Sequence, residues 1–261
     1  MKQIVRASIS IVVFLIAWEI IARTGFIHIS LFPPPTRVAE AFVEMARSGE
    51  LARDLRASLW RAVIGFVLGS GVAIATGLVT GRIEALNNYL SPLMQLFRPL
   101  PPVAIIPLII VWFGIGEVSK VFSIAFAVFF PVWVNTHIGA REIPVMFLWS
   151  AYSLGVRGFT VLWKVIVPGA LLWRVILPGA LPFIVAGFRT GIAIAFIMVF
   201  VSELAGASAG IGYQISVSHL AYRVDRMIAA LILLGVLGAG ADLLLTRLIW
   251  FTCPWLKLGQ K

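Results

Sequence analysis

Long apolar blocks, separated by short polar segments, limit what this chain can fold into more than any other feature. Several blocks approach about 20 residues, the length that a helix needs to cross a hydrocarbon core about 30 Å thick. The chain has 261 residues, of which 61% are hydrophobic and only 12% are charged, too few charges for the surface of an ordinary soluble domain. We therefore predict an all-α polytopic membrane protein with about six transmembrane helices.

The predicted spans follow the apolar blocks. Lys2 and Arg6 precede the first block, as in a signal peptide, but no small-x-small cleavage site follows. The segment is therefore predicted to be kept as a span. Residues 82–98 are predicted to be a short polar return, that is, a connection that leads the chain back into the membrane. Prolines lie at the start of the third span. The spans are about 7–22, 62–80, one that follows Arg98, 121–138, 181–204 and 227–249.

An amphipathic helix is predicted between the first two spans, on the outer surface. The prolines at 33–35 stop any helix before it, and Thr36 is its predicted N-cap. Its apolar face holds Val38, Ala41, Phe42 and Met45. The segment is either an ordinary solvated helix or a docking surface for a partner.

Basic residues predict the orientation of the chain. The net charge is +10, but the bases are spread singly between apolar blocks, without the basic patch interleaved with aromatics that would indicate nucleic-acid binding. Lys and Arg are enriched on the cytoplasmic side of membrane proteins. We expect the basic segment 139–191, which lies between two spans, in the cytoplasm, where it is placed to contact a partner. Counted by bases alone, the asymmetry between the two sides is modest, so the expectation that both termini are cytoplasmic rests also on a family resemblance.

This basic segment resembles the cytoplasmic loop in the membrane subunits of bacterial ABC importers. That loop reads Glu-Ala-Ala, three residues, Gly, nine residues, then Ile-x-Leu-Pro. The same frame here holds Trp149, Ser150, Ala151, Gly155, Val165 and Pro168. Trp149 replaces the glutamate, so the resemblance rests on Ala151, Gly155, the spacing and Pro168.

Three further stretches look like the branch of that family that serves taurine, alkanesulfonates, nitrate and bicarbonate. They are LFPPPTRV at 31–38, FRPLPPVAIIPLIIVWFGIGEVSK at 97–120 and LPGALPFIVAGFR at 177–189. The resemblance implies the type I ABC importer permease fold. It also implies the transmembrane permease subunit of an ATP-driven, binding-protein-dependent importer for a small anion.

The cargo implied first is taurine or another aliphatic sulfonate, because FGIGEVSK looks closer to the sulfonate and taurine permeases. Nitrate or bicarbonate import is the alternative. Among other classes of transport protein, a secondary transporter is the next alternative to the importer. A polytopic membrane enzyme or structural protein also stays open, but it would need a convergent polar cluster that the sequence does not display.

The resemblance implies partners and a location. The partners are a second copy of the permease in a homodimer, two cytoplasmic ATP-binding subunits and a periplasmic or lipid-anchored substrate-binding protein, in the lipid of the bacterial inner membrane. The predicted segments are an N-terminal transmembrane helix at 1–25, a periplasmic linker with the amphipathic helix at 26–61, the permease core at 62–250 with its coupling loop at about 139–180, and a cytoplasmic tail at 251–261.

The coupling loop departs from the family frame in one respect. Residues 162–171 read LWKVIVPGAL and residues 172–181 read LWRVILPGAL. The chain thus has two tandem copies of a segment that the resemblance expects once. A helical insert of this length adds about 15 Å, and Pro168 favours a bent element. The duplication is either a harmless bulge or an adaptive change in the coupling contact.

The predicted translocation pathway lies where two copies would face each other. Prolines clustered at 99–107 predict an irregular segment beside the pathway, with a kinked packing helix as the alternative. Phe97 is a possible apolar gate, Arg98 an anion attractor or a cytoplasmic anchor, and Glu203 a structural acceptor or gate residue. The nominated residues are Phe97, Arg98, Pro99, Pro101 and Pro102 at the inner side of span three, and Ser202 and Glu203 at the outer end of span five.

Catalytic and cofactor motifs are missing from the sequence. It holds no Walker lysine loop, HExxH, G-x-S-x-G or dinucleotide fingerprint, and its three histidines lack metal-ligand spacing. Ionisable residues inside the spans are few, with Glu19 and Asp242 placed near span ends, whereas secondary transporters commonly use such residues for ion coupling. We expect no enzyme activity, metal or cofactor in this chain, with ATP and Mg²⁺ bound by the partner ATPase.

Overall fold

Apolar helices make up the fold, as the block pattern predicts. The computed structural model describes residues 2–25, 27–142 and 176–253, and the regular elements in these ranges are all α-helices. They are α1 Lys2–Arg23, α2 Pro35–Arg47, α3 Glu50–Arg82, α4 Glu84–Phe97, α5 Pro102–Phe113, α6 Glu117–Glu142, α7 Leu177–Leu204, α8 Ile211–Leu220 and α9 Val224–Thr252. The predicted all-α class is confirmed.

Four helices in the described ranges, α3, α6, α7 and α9, are long and apolar enough to cross a membrane. The pair α4 and α5 also passes this test when taken together, with a bend of 99° at the break between them. Counting that pair as one span gives five. Since α1 is not among them, the sixth predicted span stays a prediction.

The bend between α4 and α5 falls at the start of the 99–107 segment that the sequence predicts to be irregular, whereas residues 102–107 are helical and Pro107 lies inside α5. Pro99 and Pro101 lack the N–H that would continue the helical ladder. The predicted polar return before it is wrong, however, because residues 84–97 form α4. Apolar side chains recur there at helical spacing, at Leu86, Leu90, Leu93 and Phe97.

The chain divides into two compact units. The first contains Met1–Arg61 and Val199–Ala239, and the second contains Ala62–Met198 and Gly240–Lys261. In the first unit, Val38 and Met45 of α2 pack with Ala229 of α9 in a buried cluster. Phe42 is 38% exposed, so the amphipathic face of α2 is narrower than predicted.

The start of α2 is capped by another helix. Its N-cap is Pro34 with Pro35 at the first helical position, where a missing N–H costs nothing, so the predicted Thr36 cap is wrong. The Thr36 backbone N–H instead donates to Glu19 Oε2 of α1 (3.2 Å), and its hydroxyl donates to Oε1 (3.0 Å). Glu19, which the sequence offered as a candidate for ion coupling, thus holds the two helices together.

Glycines bring α3 and α6 into close contact in the second unit. A Cβ added at Gly65 would lie 2.6 Å from Ile124 Cβ, and one at Gly77 would lie 2.8 Å from Thr136 Cβ. Gly69 lies against the backbone of Ala125 in the same way. Gly65 and Gly69 form the G-x-x-x-G pair in span two, and such pairs permit this separation.

Candidate functional site

The predicted coupling residues lie outside the described part of the chain. Trp149, Ser150, Ala151, Gly155, Val165 and Pro168 all fall in residues 143–175, together with most of the tandem repeat. Their coupling role therefore stays a prediction from sequence.

Glu203, near the end of α7, is the centre of a buried polar cluster in the first unit. Its carboxylate accepts hydrogen bonds from Ser58 Oγ (2.8 Å to Oε1), Arg61 Nη1 (2.7 Å to Oε1) and the Gly212 backbone N–H (2.8 Å to Oε2). The Arg61 side chain is 4% exposed and that of Glu203 is 0% exposed. Both charges are therefore compensated where water is excluded.

The same cluster fixes the turn that precedes α8. The Gly210 N–H donates to Asp54 Oδ1 (3.1 Å) and the Ile211 N–H donates to Ser58 Oγ (2.8 Å). Arg61 Nη1 also donates to the carbonyl oxygen of Ala209 (2.7 Å). Side chains of α3 thus satisfy the backbone amides at the start of α8, which would otherwise be buried without partners.

Asp54, Ser58 and Arg61 were missed as site residues because they are polar and stand before the start of the apolar block at 62–80. The predicted boundary between linker and core, at 61/62, falls inside α3, which runs unbroken to Arg82. Asp54 and Ser58 are four residues apart, and Ser58 and Arg61 are three apart, so the three side chains lie on one face of the helix. Each has a hydrogen-bond partner there, so these polar residues are compatible with a continuous helix. That spacing was the available sequence signal.

Ser202 is buried beside Glu203, and its hydroxyl donates to the Val199 carbonyl oxygen of its own helix (3.1 Å). Their nomination to the pathway stays a prediction. Of the other nominated residues, all in the second unit, Phe97, Arg98, Pro99 and Pro101 are exposed and Pro102 is half-buried.

Phe97 lines an apolar cavity of about 770 Å³ in the second unit. Leu68 and Val72 of α3 and Met94 of α4 contribute to its wall, and apart from Glu117 the wall is built from apolar side chains and glycine. Four phenylalanines of α6 complete it: Phe122, Phe126, Phe129 and Phe130. An anion that entered this cavity would lose its hydration with little polar compensation, so the cavity suits an apolar occupant.

Two charged residues of different helices meet in the second unit. Arg189 of α7 donates from Nε to Asp242 Oδ1 (3.1 Å) and from Nη2 to Oδ2 (3.3 Å), with Asp242 in α9. The contact is bidentate, the geometry that makes Arg–carboxylate pairs specific. The sequence placed both residues near span ends and did not pair them.

A charged cleft of about 520 Å³ lies in the first unit, beside α2. Glu44 accepts hydrogen bonds there from Arg226 Nη2 (2.6 Å) and Arg223 Nη2 (2.9 Å). These bonds hold the pKa of Glu44 below its ordinary value, and hydrogen bonds to Asp225 and Glu44 raise the pKa of Arg223. Charged residues of both signs therefore form one network on this surface.

Among the described residues, no group of three or more His, Cys, Asp or Glu side chains is arranged to hold a metal ion. His137 pairs with Thr80, with 3.0 Å between Nδ1 and Oγ1, and its ring packs against Trp133. These contacts are those of a packed histidine.

Comparisons with known proteins agree with the fold. A family model described as "Binding-protein-dependent transport system inner membrane component" matches residues 65–172 and 170–249. The chain is 34% identical over 230 residues to a Bacillus subtilis protein named for aliphatic sulfonates transport, the permease SsuC, covering 88% of this chain and 80% of that protein. It is 29% identical over 259 residues to the taurine transport system permease TauC of Escherichia coli, covering 97% and 90%.

A solved structure shows the same fold. The MetNI methionine ABC transporter, in inward-facing conformations, contains a chain that matches with a TM-score of 0.60 and 19% identity. The match covers 78% of this chain and 96% of that one. It supports the predicted type I importer architecture and, at this identity, carries no inference about cargo.

Proposed function

The chain belongs to the family of binding-protein-dependent transport system inner membrane components, and from this premise we propose that it is the permease subunit of an ATP-driven importer for aliphatic sulfonates, with taurine as a candidate cargo. The observation that carries the proposal is the 34% identity to a permease named for aliphatic sulfonates transport, which extends over 88% of the chain. Similarity to the taurine permease over 97% of the chain supports the same cargo class.

The proposed assembly contains two copies of this chain, two ATP-binding subunits inside and a substrate-binding protein outside, in the bacterial inner membrane with both termini cytoplasmic. Membership of a binding-protein-dependent family supports the outside partner. The lack of ATPase motifs in the sequence supports separate ATP-binding subunits. The charged cleft beside α2 suits the docking of a polar protein surface, since its arginines and carboxylates pair with one another and can exchange partners.

The proposed mechanism couples ATP binding to movement of the membrane helices. Closing of the ATPase subunits would push the 143–175 segment and rock the helices between inward-open and outward-open arrangements. The bend between α4 and α5 offers a hinge, because Pro99 and Pro101 interrupt the backbone ladder there. The Glu203 cluster would hold the α7–α8 turn on α3 during that movement.

Reconstitution tests this function directly. The permease, its ATP-binding subunit and its substrate-binding protein would be placed in proteoliposomes, and uptake of labelled taurine and alkanesulfonates would be measured with and without ATP. We expect uptake that requires ATP and the binding protein. Uptake driven by an ion gradient without ATP would overturn the importer assignment, and binding-protein specificity for nitrate or bicarbonate alone would overturn the sulfonate assignment.

A further inference from the structure

The Arg189–Asp242 pair lies well inside two helices that are long and apolar enough to cross a membrane. Arg189 is 12 residues after Leu177, the start of α7, and Asp242 is 10 residues before Thr252, the end of α9. At 1.5 Å per residue, the two charges are about 18 Å and about 15 Å from those helix ends. Both helices are longer than the roughly 30 Å hydrocarbon core requires, so the pair occupies their middle portion.

The pair is also accessible within its unit. The Arg189 side chain is 52% exposed and the Asp242 side chain is 35% exposed. Ionised groups exposed to lipid tails are costly, and those found in membrane helices face a water-filled cavity or the protein interior. The neighbouring exposed residues on α7 are small, Ala186, Thr190 and Ala193, so they leave the guanidinium open to an approaching ligand.

The geometry leaves Arg189 able to bind a second anion. Asp242 engages two of its N–H groups, and a guanidinium carries five in a planar fork. That fork matches the paired oxygens of a carboxylate or another oxyanion, and a sulfonate group has three such oxygens. Asp242 neutralises the arginine when no anion is present, which lowers the cost of keeping the charge in the membrane.

We propose that Arg189 is a contact for the transported oxyanion inside the membrane, and that Asp242 is its resident counter-ion, which the passing anion displaces. The inference rests on the proposed function and adds a place along the route where the sulfonate is held. Competition from Asp242 keeps the binding weak, as a transport route requires, because a tightly held anion would not leave. A purely structural ion pair between α7 and α9 is the opposing explanation.

Direct binding separates the two explanations. Labelled taurine binding would be measured by equilibrium dialysis on the detergent-solubilised permease–ATPase complex without the binding protein. Asp242→Asn removes the competitor and should tighten taurine binding about tenfold, the scale of one charge-assisted hydrogen bond. Arg189→Gln should abolish it, and Arg189→Lys, which keeps the charge without the fork, should bind with intermediate affinity.

The double variant Arg189→Gln/Asp242→Asn provides the decisive comparison. A structural pair predicts that both single variants disrupt assembly, that the double variant restores it, and that taurine binding follows the amount of assembled complex. The proposal predicts an assembled double variant with no taurine binding. Arg247→Gln, the same change at an exposed arginine of α9, is the control and should bind as the parent does.

The outcomes also separate this inference from the proposed function. Normal ATP-driven taurine uptake by an assembled Arg189→Gln complex would overturn the inference and leave the sulfonate importer intact. If the parent complex carries nitrate and not sulfonates, and loses that uptake in Arg189→Gln, the sulfonate assignment fails while the oxyanion contact stands.

Discussion

Gly210 lies against the carboxylate of Glu203, at the turn between α7 and α8. A Cβ built at Gly210 would be 2.5 Å from both Glu203 carboxylate oxygens, and the backbone φ of Gly210 is +131°. The buried carboxylate of Glu203 can therefore occupy this position only because residue 210 has no side chain. Glycine is also the residue that adopts such a φ without strain.

Gly210→Ala should therefore destabilise the protein. Backbone strain at this φ alone costs about 1–3 kcal/mol, and the added methyl would displace Glu203 from its donors. The midpoint of thermal unfolding in detergent should fall accordingly. Gly235→Ala is the matched control, since a Cβ there meets nothing within 4 Å. Equal midpoints for the two variants would contradict the close contact.

Arg61→Met should cost more than removing the whole ion pair. It leaves the Glu203 charge buried without its cation, a loss of about 3–5 kcal/mol in the free energy of unfolding. The double variant Arg61→Met/Glu203→Gln should recover part of that loss, which a double-mutant cycle would measure. Strictly additive losses would show that Arg61 and Glu203 do not interact energetically.

The Glu44 network should give stability a dependence on acid pH. Its hydrogen bonds to Arg226 and Arg223 lower the pKa of Glu44 below 4.5. The contribution is fully present above the unfolded-state pKa and is lost as pH falls through the folded-state pKa. Thermal midpoints should therefore drop below about pH 4.5, and less steeply in Glu44→Gln. Glu40→Gln serves as the control, and an unchanged slope in Glu44→Gln would count against the network.

Cysteine labelling tests the predicted pathway. In a Cys253→Ser background, Phe97→Cys and Pro101→Cys should react with small water-soluble reagents to an extent that changes when ATP is trapped on the complex. Val236→Cys, at an exposed apolar position in the middle of α9, provides a control for lipid-facing positions. If neither Phe97→Cys nor Pro101→Cys reacts in any state, the pathway does not pass this bend.

Gly155→Arg should abolish transport and substrate-stimulated ATPase activity while the subunit still inserts into the membrane. Gly155 is the predicted turn residue of the coupling loop, where a long side chain would obstruct contact with the ATPase. Uptake and ATP hydrolysis in proteoliposomes, with membrane insertion measured in parallel, would check this. Normal transport would remove this loop from the mechanism.

Much of the fold was predictable because membrane helices can be recognised in a sequence by their length and hydropathy. The apolar blocks located α3, α6, α7 and α9, and prolines located the break before α5. Helix ends were harder to predict, because charged residues such as Arg61 look like a boundary when their partners are unknown. The predicted Thr36 cap was wrong for a different reason, because Pro35 already suits the first helical position and the helix begins there.

The polar contacts of the candidate sites could not be predicted, since they join residues far apart in sequence. Ser58 and Glu203 are separated by 145 residues and Arg189 and Asp242 by 53. Hydropathy reports how apolar a segment is, and it does not report which face of one helix meets which face of another. The role of Glu203 as an acceptor was weighed from sequence, but its donors became visible only with the structure.

The glycine contacts between α3 and α6 have a mechanical consequence. Gly65, Gly69, Gly77 and Gly81 each touch α6, so the two backbones are in contact from one end of the shared length to the other. Only the side chains of α6, among them Ile124 and Thr136, lie between the two backbones at these positions. A displacement of α6 at Glu142 should therefore carry α3 with it, since the two helices cannot approach each other further at these glycines.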